Sequence, residues 1–373
     1  VVELLVRWSR WADRWWYELP GASHLGCFGT GYNTWGVQTN QKYAAAQAML
    51  AVEPSLSDAD RAWALQRSLA SFRFSLESHV SGSITCTDNT HWGHTWISAL
   101  GIERMMHGLH AIRDHLTDTD RAAIRRVLTS ECDWLATDYK RGAHPGITAT
   151  KWNHQGGNDP ESNLWNGAIL WRGVTMYPDH PHVELWREQA LRFLANGVSI
   201  EADATDDTVY DGKPLRERHI GPNFFDSYAL DHHGYMNVGY MTISASNAAI
   251  LHFDHRLAGL AVPELLHLHQ KPLWNVLRQM IFDDGRLARI GGDTRVRYAY
   301  CQEYLIPTIL YAVDHLGETD ASAKLSGIVE MCETEARDNA DGSFYGRRLR
   351  ELLNLNPYYY VRIEGDRASG LSM

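Results

Sequence analysis

The sequence predicts an all-α fold built from antiparallel helical hairpins, and three observations carry that expectation. Apolar residues recur at three- and four-residue spacing over long stretches. Strand-like alternation is nearly absent, and helix-start signals stand where the periodic stretches begin. A succession of such hairpins without a sheet reads as a solenoid, a bundle or a closed α/α toroid.

The chain opens at Val1 directly in an amphipathic helix, which leaves room for a leader removed before this numbering. The helical pattern then runs through residues 59–79, 94–114, 118–139, 162–176, 182–199, 236–256, 262–281 and 299–315. Two starts are marked by Ser57-x-x-Asp60 and Thr117-x-x-Asp120, where a hydroxyl caps free N–H groups and the acid three residues on reaches back. The final stretch, Asn356-Pro357-Tyr358-Tyr359-Tyr360 and beyond, reads as an abrupt end that leaves room for a further domain.

The bulk numbers narrow the function. With 373 residues and 44% of them hydrophobic, the chain can bury a substantial core, and no run of eighteen apolar residues provides a membrane span. A net charge of −10 argues against a nucleic-acid or anionic-membrane partner, because both need a basic footprint. The five cysteines are scattered, without CxxC spacing, so they form neither a disulfide framework nor a zinc motif. No phosphate-cradling loop, GxSxG or HExxH occurs, which removes nucleotide-dependent, serine-hydrolase and zincin readings. His267 and His269 have no carboxylate or cysteine companions nearby in sequence and read as packing residues, so no metal ligand set is expected.

The long loops carry the chemistry. Segments 23–41, 81–96, 141–163, 203–235 and 283–298 are rich in Gly, Asn, His, Trp and Tyr, and long loops between helices tend to be functional; they are expected on one face, around a shared cleft. Fourteen tryptophans and seventeen tyrosines exceed what a helical core needs, and Tyr32, Trp35, Trp92, Trp96, Trp152 and Trp165 fall in or beside these loops. Flat aromatic faces suit the apolar faces of sugar rings, so Trp35, Trp92 and Trp165 are expected to bind substrate.

Three polar clusters follow. The first runs from Lys151 through Asn153, His154, Glu161 and Asn163 to Gly167, just before a helix start, where amide donors and the helix dipole favour a carboxylate. In the second, Arg216, Arg218, His219, His232, His233, Tyr235 and Tyr240 supply cations for an acidic substrate, imidazoles that titrate near neutrality, and phenols able to serve as acid or base. The third, Asp283 to Tyr298, combines a glycine turn with Asp293 and Arg295.

These segments resemble the heparinase II/III-like polysaccharide lyases. The resemblance rests on Ser162-Asn163-Leu164-Trp165-Asn166-Gly167, then Met176-Tyr177-Pro178, then Trp186-Arg187. Next come Asp231-His232-His233-Gly234-Tyr235, with His233 where the family often has Pro, and the turn Asp284-Gly285-Arg286-Leu287 continuing to Ile290-Gly291-Gly292-Asp293. It spans roughly residues 140–300.

The resemblance implies an incomplete α/α toroid, expected here as one catalytic domain over 1–373 without the β-sandwich that usually follows. It also implies β-elimination on an acidic oligo- or polysaccharide, and a periplasmic or secreted location. Asn163, with Arg216 or Arg218, would neutralise the uronate carboxylate. Tyr235 would be the acid and a candidate base, His232 or His233 the alternative base, with Asn153 and His154 as second candidates. His219, Tyr240 and Arg295 would contact substrate. The chemistry needs no cofactor and is compatible with a structural cation. Two other classes remain: an inverting hydrolase or sugar epimerase, with Asp88, Glu161, Asp231, Asp293 and Glu303 as available carboxyls, and a glycan-binding protein without turnover.

Overall fold

A computed structural model describes residues 1–141, 146–152, 157–290 and 301–373. Asn153, His154, Asp293 and Arg295 lie outside the described residues. The fold is all-α, as expected, with three short two-stranded ribbons among the described residues. No described helix is long and apolar enough to cross a membrane. The chain divides into two compact units, residues 1–131 with 329–373, and residues 132–328.

The first unit contains helices α1 (Val2–Ala12), α2 (Trp35–Val52), α3 (Asp58–Glu77) and α4 (Ser98–Ala111), and most of α5 (Asp118–Thr137). Helix α2 is buried nearly all round, and small residues let its neighbours come close. A Cβ on Gly108 of α4 would stand 2.5 Å from the Ala45 Cα, and one on Gly101 would meet Gln41. These contacts advance in step along both helices, so α2 and α4 run parallel. Against α3 the order reverses: Asn40 donates to the Ser71 carbonyl (3.0 Å) while Ser68 donates to the Ala44 carbonyl (2.9 Å). The capping signals hold. Asp60 N–H donates to Ser57 Oγ (3.1 Å), and Thr117 and Asp120 cap one another reciprocally at 2.9 and 3.2 Å.

The second unit contains α6 (Pro160–Met176), α7 (Val183–Ala195), the single turn α8 (Leu215–Arg218), α9 (Val238–Leu257), α10 (Gln270–Leu277) and α11 (Leu305–Asp314). Helices α6 and α7 form an antiparallel hairpin closed by glycines, Gly167 against Leu194 and Gly173 against Trp186. Helix α9 runs parallel to α6, tied by Asn247 to the Glu161 carbonyl (3.2 Å) and by the buried Arg172–Asp254 pair (2.6 Å). It also runs parallel to α11, from Thr242 against Thr308 (3.3 Å) to His252 against Asp314 (3.0 Å).

Helix α12 (Ser322–Arg337) leads back into the first unit, followed by α13 (Arg350–Leu355) and α14 (Pro357–Ser372). The abrupt end read at 356–360 is instead the start of a helix: Asn356 caps Tyr359 N–H at 3.0 Å and Pro357 takes the first helical position. Helix α14 is a core element, parallel to α2 through Arg362 over Trp35, Gly365 beside Thr39 and the fully buried Lys42–Asp366 ion pair.

One expected helix is broken. Residues 262–281 form a 3-10 turn (Glu264–His267), α10 and a second 3-10 turn (Arg278–Met280), because His269 sits in left-handed backbone at φ 57°. Its ring explains the break: Nε2 lies 2.8 Å from Asp203 Oδ1 and Nδ1 3.2 Å from the Tyr228 hydroxyl. Two side-chain bonds hold a conformation that helix continuation would abolish.

Candidate active site

The densest chemistry in the second unit gathers on a two-stranded ribbon, β5 (Asp231–His232) paired with β6 (Tyr235–Met236). Among the described residues β5 and β6 are the last of six short strands, after Trp16–Glu18, Gly26–Phe28, Val209–Tyr210 and Lys213–Pro214. His233 and Gly234 make the two-residue turn, and both lie in the left-handed region. That is the geometry of tight hairpins in which both central residues take positive φ. Proline is locked at negative φ and cannot stand at 233 in this turn. A left-handed histidine costs on the order of 1–3 kcal/mol. The turn lifts the His233 ring to the exposed tip.

Below the tip the rings are contiguous. The His232 centroid lies 4.2 Å from that of His233 and 4.1 Å from Tyr240, and His233 lies 5.2 Å from Tyr240. Tyr240 is placed by the start of α9, where Asn237 Oδ1 accepts its N–H at 3.1 Å, while Asn237 Nδ2 donates to the His232 carbonyl at 3.2 Å. Tyr235 pairs across the ribbon with His232 and is half-buried.

His232 itself is buried. Its Nδ1 lies 3.1 Å from both the carbonyl and the side-chain oxygen of Asn158, and Asn158 Nδ2 donates to the Asp231 carbonyl at 2.6 Å. Donation from Nδ1–H to the carbonyl leaves Nε2 as the basic nitrogen, and that atom faces Glu161 Oε1 at 4.0 Å. Burial first, and the nearby Asp159 carboxylate second, push Glu161 well above the ordinary carboxylate range. Burial likewise raises Asp159 against the opposing Arg141 guanidinium, 2.7 Å away. Oxygens of Asp159 and Glu161 and a nitrogen of His232 lie within 4.8 Å of one another, a group able to hold a cation.

Beside Tyr235 opens a cavity of about 440 Å³, lined by Trp152, Phe225, Leu230, Asp231, Tyr235 and Met236 among others. Trp152 meets Phe225 edge-on with centroids 4.8 Å apart and is 48% exposed, so an aromatic wall faces solvent next to Tyr235, whose hydroxyl oxygen is itself buried.

The structure thus brings together His232, His233, Tyr235 and Tyr240. Other expectations need correction. Asn163 does not face solvent: it is wholly buried, donates to the carbonyls of Thr148 (2.8 Å) and Asn196 (2.6 Å), and accepts from Thr148 N–H (3.3 Å). Both its amide hydrogens are committed, so it holds the scaffold instead of a carboxylate. Arg218 is also buried, its guanidinium donating to the Tyr210 and Asp211 carbonyls and to Glu188. Trp92 is buried with Nε1 donating to the Ser75 carbonyl (2.7 Å), and Trp165 is buried in α6; neither offers a face to a sugar. His232 turns its basic nitrogen inward to Glu161 and does not present it to solvent.

Arg216 is exposed and paired with Asp207. His219 is half-buried, its pKa lowered mainly by burial. Trp35, in the first unit, carries the Arg362 guanidinium 3.4 Å over its ring and the edge of Trp96 at 5.9 Å. Sequence reasoning missed Asn158, Asp159 and Phe225. The Asn-Asp-Pro run ahead of α6 was the available signal for the first two, since Pro at the first helical position marks the helix start.

The chain matches no family model, no curated protein and no solved structure.

Proposed function

We propose that the protein is a polysaccharide lyase that cleaves a uronic-acid-containing glycan by β-elimination, with His233 or Tyr235 as base and Tyr235 as acid. The observation that carries this reading is the contiguous ring cluster of His232, His233 and Tyr240, with Tyr235 paired across the ribbon from His232 and lining an aromatic-walled cavity. Elimination requires a base near the weakly acidic C5 proton, an acid near the glycosidic oxygen and an offset for the carboxylate charge. His233 at the exposed tip and Tyr235 on the cavity wall suit the first two tasks. His232 and Tyr240 orient them. Trp152 and Phe225 suit the apolar face of a sugar ring.

Charge neutralisation passes from Asn163 to Asn153 and His154, which follow Trp152 directly in sequence. We further infer an incomplete α/α toroid serving as one catalytic domain over 1–373. Its support is the run of directions within each unit: α2, α4 and α14 are mutually parallel, as are α6, α9 and α11, while α3 and α7 return antiparallel. Parallel inner helices joined by antiparallel outer ones are what such a toroid requires.

The inverting-hydrolase alternative is weaker at this ribbon. The raised carboxyls Asp159 and Glu161 have oxygens within 4.8 Å of each other. Of Asp159, Glu161 and Asp231, Asp231 alone is among the residues lining the cavity, whereas an inverting mechanism needs two carboxyls flanking the scissile bond. Tyr235→Phe tests the proposal. Loss of the acid–base group lowers kcat by about 10²–10⁴ while glycan affinity stays near wild type. Wild-type turnover in that variant moves both proton transfers to histidine, and equal loss of binding makes Tyr235 a contact residue.

A further inference from the structure

Elsewhere in the second unit three histidines from distant stretches converge. His252 lies in the last turns of α9, His267 closes the 3-10 turn Glu264–His267, and His315 directly follows α11. The His267 and His315 rings stack with centroids 3.9 Å apart, and His252 stands 5.4 and 5.0 Å from them. One ring nitrogen from each lies within 4.8 Å of the other two. His267, which reads in the sequence as a packing residue for want of carboxylate or cysteine companions, meets histidines 15 and 48 positions away.

The surrounding groups select which nitrogens are left to ligate. His252 Nε2 lies 3.0 Å from Asp314 Oδ2, and Asp314 is itself paired with Arg256. The opposite nitrogen, Nδ1, is buried and has no hydrogen-bond partner among the described residues. His267 Nδ1 lies 2.6 Å from the buried Tyr311 hydroxyl, which accepts its N–H in the tautomer that leaves Nε2 free. Carboxylate and hydroxyl partners on the far nitrogen are the usual supports of metal-ligating histidines. His315 is exposed, which leaves the group open to solvent on one side.

Two other histidine groups are spent on protein contacts. Both nitrogens of His79 are bonded, to Ser81 Oγ at 2.7 Å and Glu131 Oε1 at 2.8 Å. In the Asp133, His180 and His182 group, one Asp133 oxygen already accepts from Trp186 Nε1 at 2.9 Å and meets His182 Nδ1 at 2.8 Å, while His180 stacks on Trp186.

We propose that His252, His267 and His315 bind one divalent transition-metal ion of the zinc class, through Nδ1 of His252 and Nε2 of His267, with the fourth position open to solvent beside His315. Three imidazoles and an open position suit Zn²⁺. The ion would tie together the ends of α9, the 3-10 turn and α11.

The test uses the full chain freed of metal with a chelator, then titrated with Zn²⁺ against a chromophoric competitor and separately with Co²⁺. The expected result is a single tight equivalent, a four- or five-coordinate Co²⁺ spectrum, and a metal-dependent rise in melting temperature. His315→Ala, an exposed change, and His267→Ala remove that rise, and Asp314→Asn weakens binding by about 10–100-fold. His182→Ala leaves all three readouts unchanged. Metal-free circular dichroism confirms that each variant is folded. No Zn²⁺ uptake by the wild-type chain, a six-coordinate Co²⁺ spectrum, or full uptake by folded His315→Ala and His267→Ala overturns the proposal.

Discussion

Asn163 separates a structural from a catalytic reading of the same residue, and its geometry fixes the size of the effect. Asn163 and Asn223 donate to the same two buried carbonyls, Asn163 to Thr148 (2.8 Å) and Asn196 (2.6 Å), Asn223 to the same pair at 2.9 and 2.7 Å. This double clamp joins the start of α6, the end of α7 and the 219–224 segment. In Asn163→Ala each carbonyl keeps one donor, so the loss is two net hydrogen bonds and one stranded Thr148 N–H, about 3 kcal/mol in all. Asn223→Ala loses the same two bonds and its weaker contact with Thr150 N–H (3.4 Å), again about 3 kcal/mol. In the double variant both carbonyls lose both donors, and their desolvation adds roughly 2 kcal/mol or more beyond the sum. Urea unfolding followed by tryptophan fluorescence measures all four corners of the cycle. Strict additivity would refute the shared clamp. An Asn163→Ala protein as stable as wild type but inactive would return Asn163 to the substrate carboxylate.

Three further outcomes follow from the packing. Glu161 keeps its proton in the folded chain above the point, near pH ~4.3, where the unfolded chain releases it, so its contribution to stability declines as pH rises toward the folded pKa. Glu161→Gln therefore melts with wild type near pH ~4 and increasingly above it as pH rises, and a pH-independent difference contradicts the assignment. Gly108→Val places a Cβ 2.5 Å from the Ala45 backbone and costs about 1–3 kcal/mol by urea midpoint, whereas a neutral result would mean that α2 and α4 pack less closely. Asp366→Ala strands the buried Lys42 ammonium and costs about 3–5 kcal/mol, and a loss under about 1 kcal/mol on the same scale would show the pair to be solvated.

The helices that carry one apolar stripe and a polar loop at each end were legible in the sequence, and α3, α5, α6 and α9 start within a few residues of the expected positions. What escaped was order imposed by tertiary contacts. Helix α14 was invisible because Arg362, Glu364, Asp366 and Arg367 interrupt its apolar pattern, yet all four are buried, Asp366 with Lys42 and Arg367 with Glu335 (2.7 Å). The kink at His269 depends on Asp203 and Tyr228, more than forty positions away. At the candidate site, the His232 to Tyr240 group was readable from local composition, because a hairpin keeps sequence neighbours together. Asn163 was not, since an amide at a helix start looks the same in sequence whether it meets solvent or three backbone groups.

Product chemistry tests the central claim most directly. Incubation of the protein with a panel of acidic polysaccharides, monitored in the near ultraviolet, should give rising absorbance from an unsaturated uronate with at least one of them. New reducing ends without that absorbance would make the enzyme a hydrolase, and binding with neither signal would leave a glycan-binding protein with no elimination to explain.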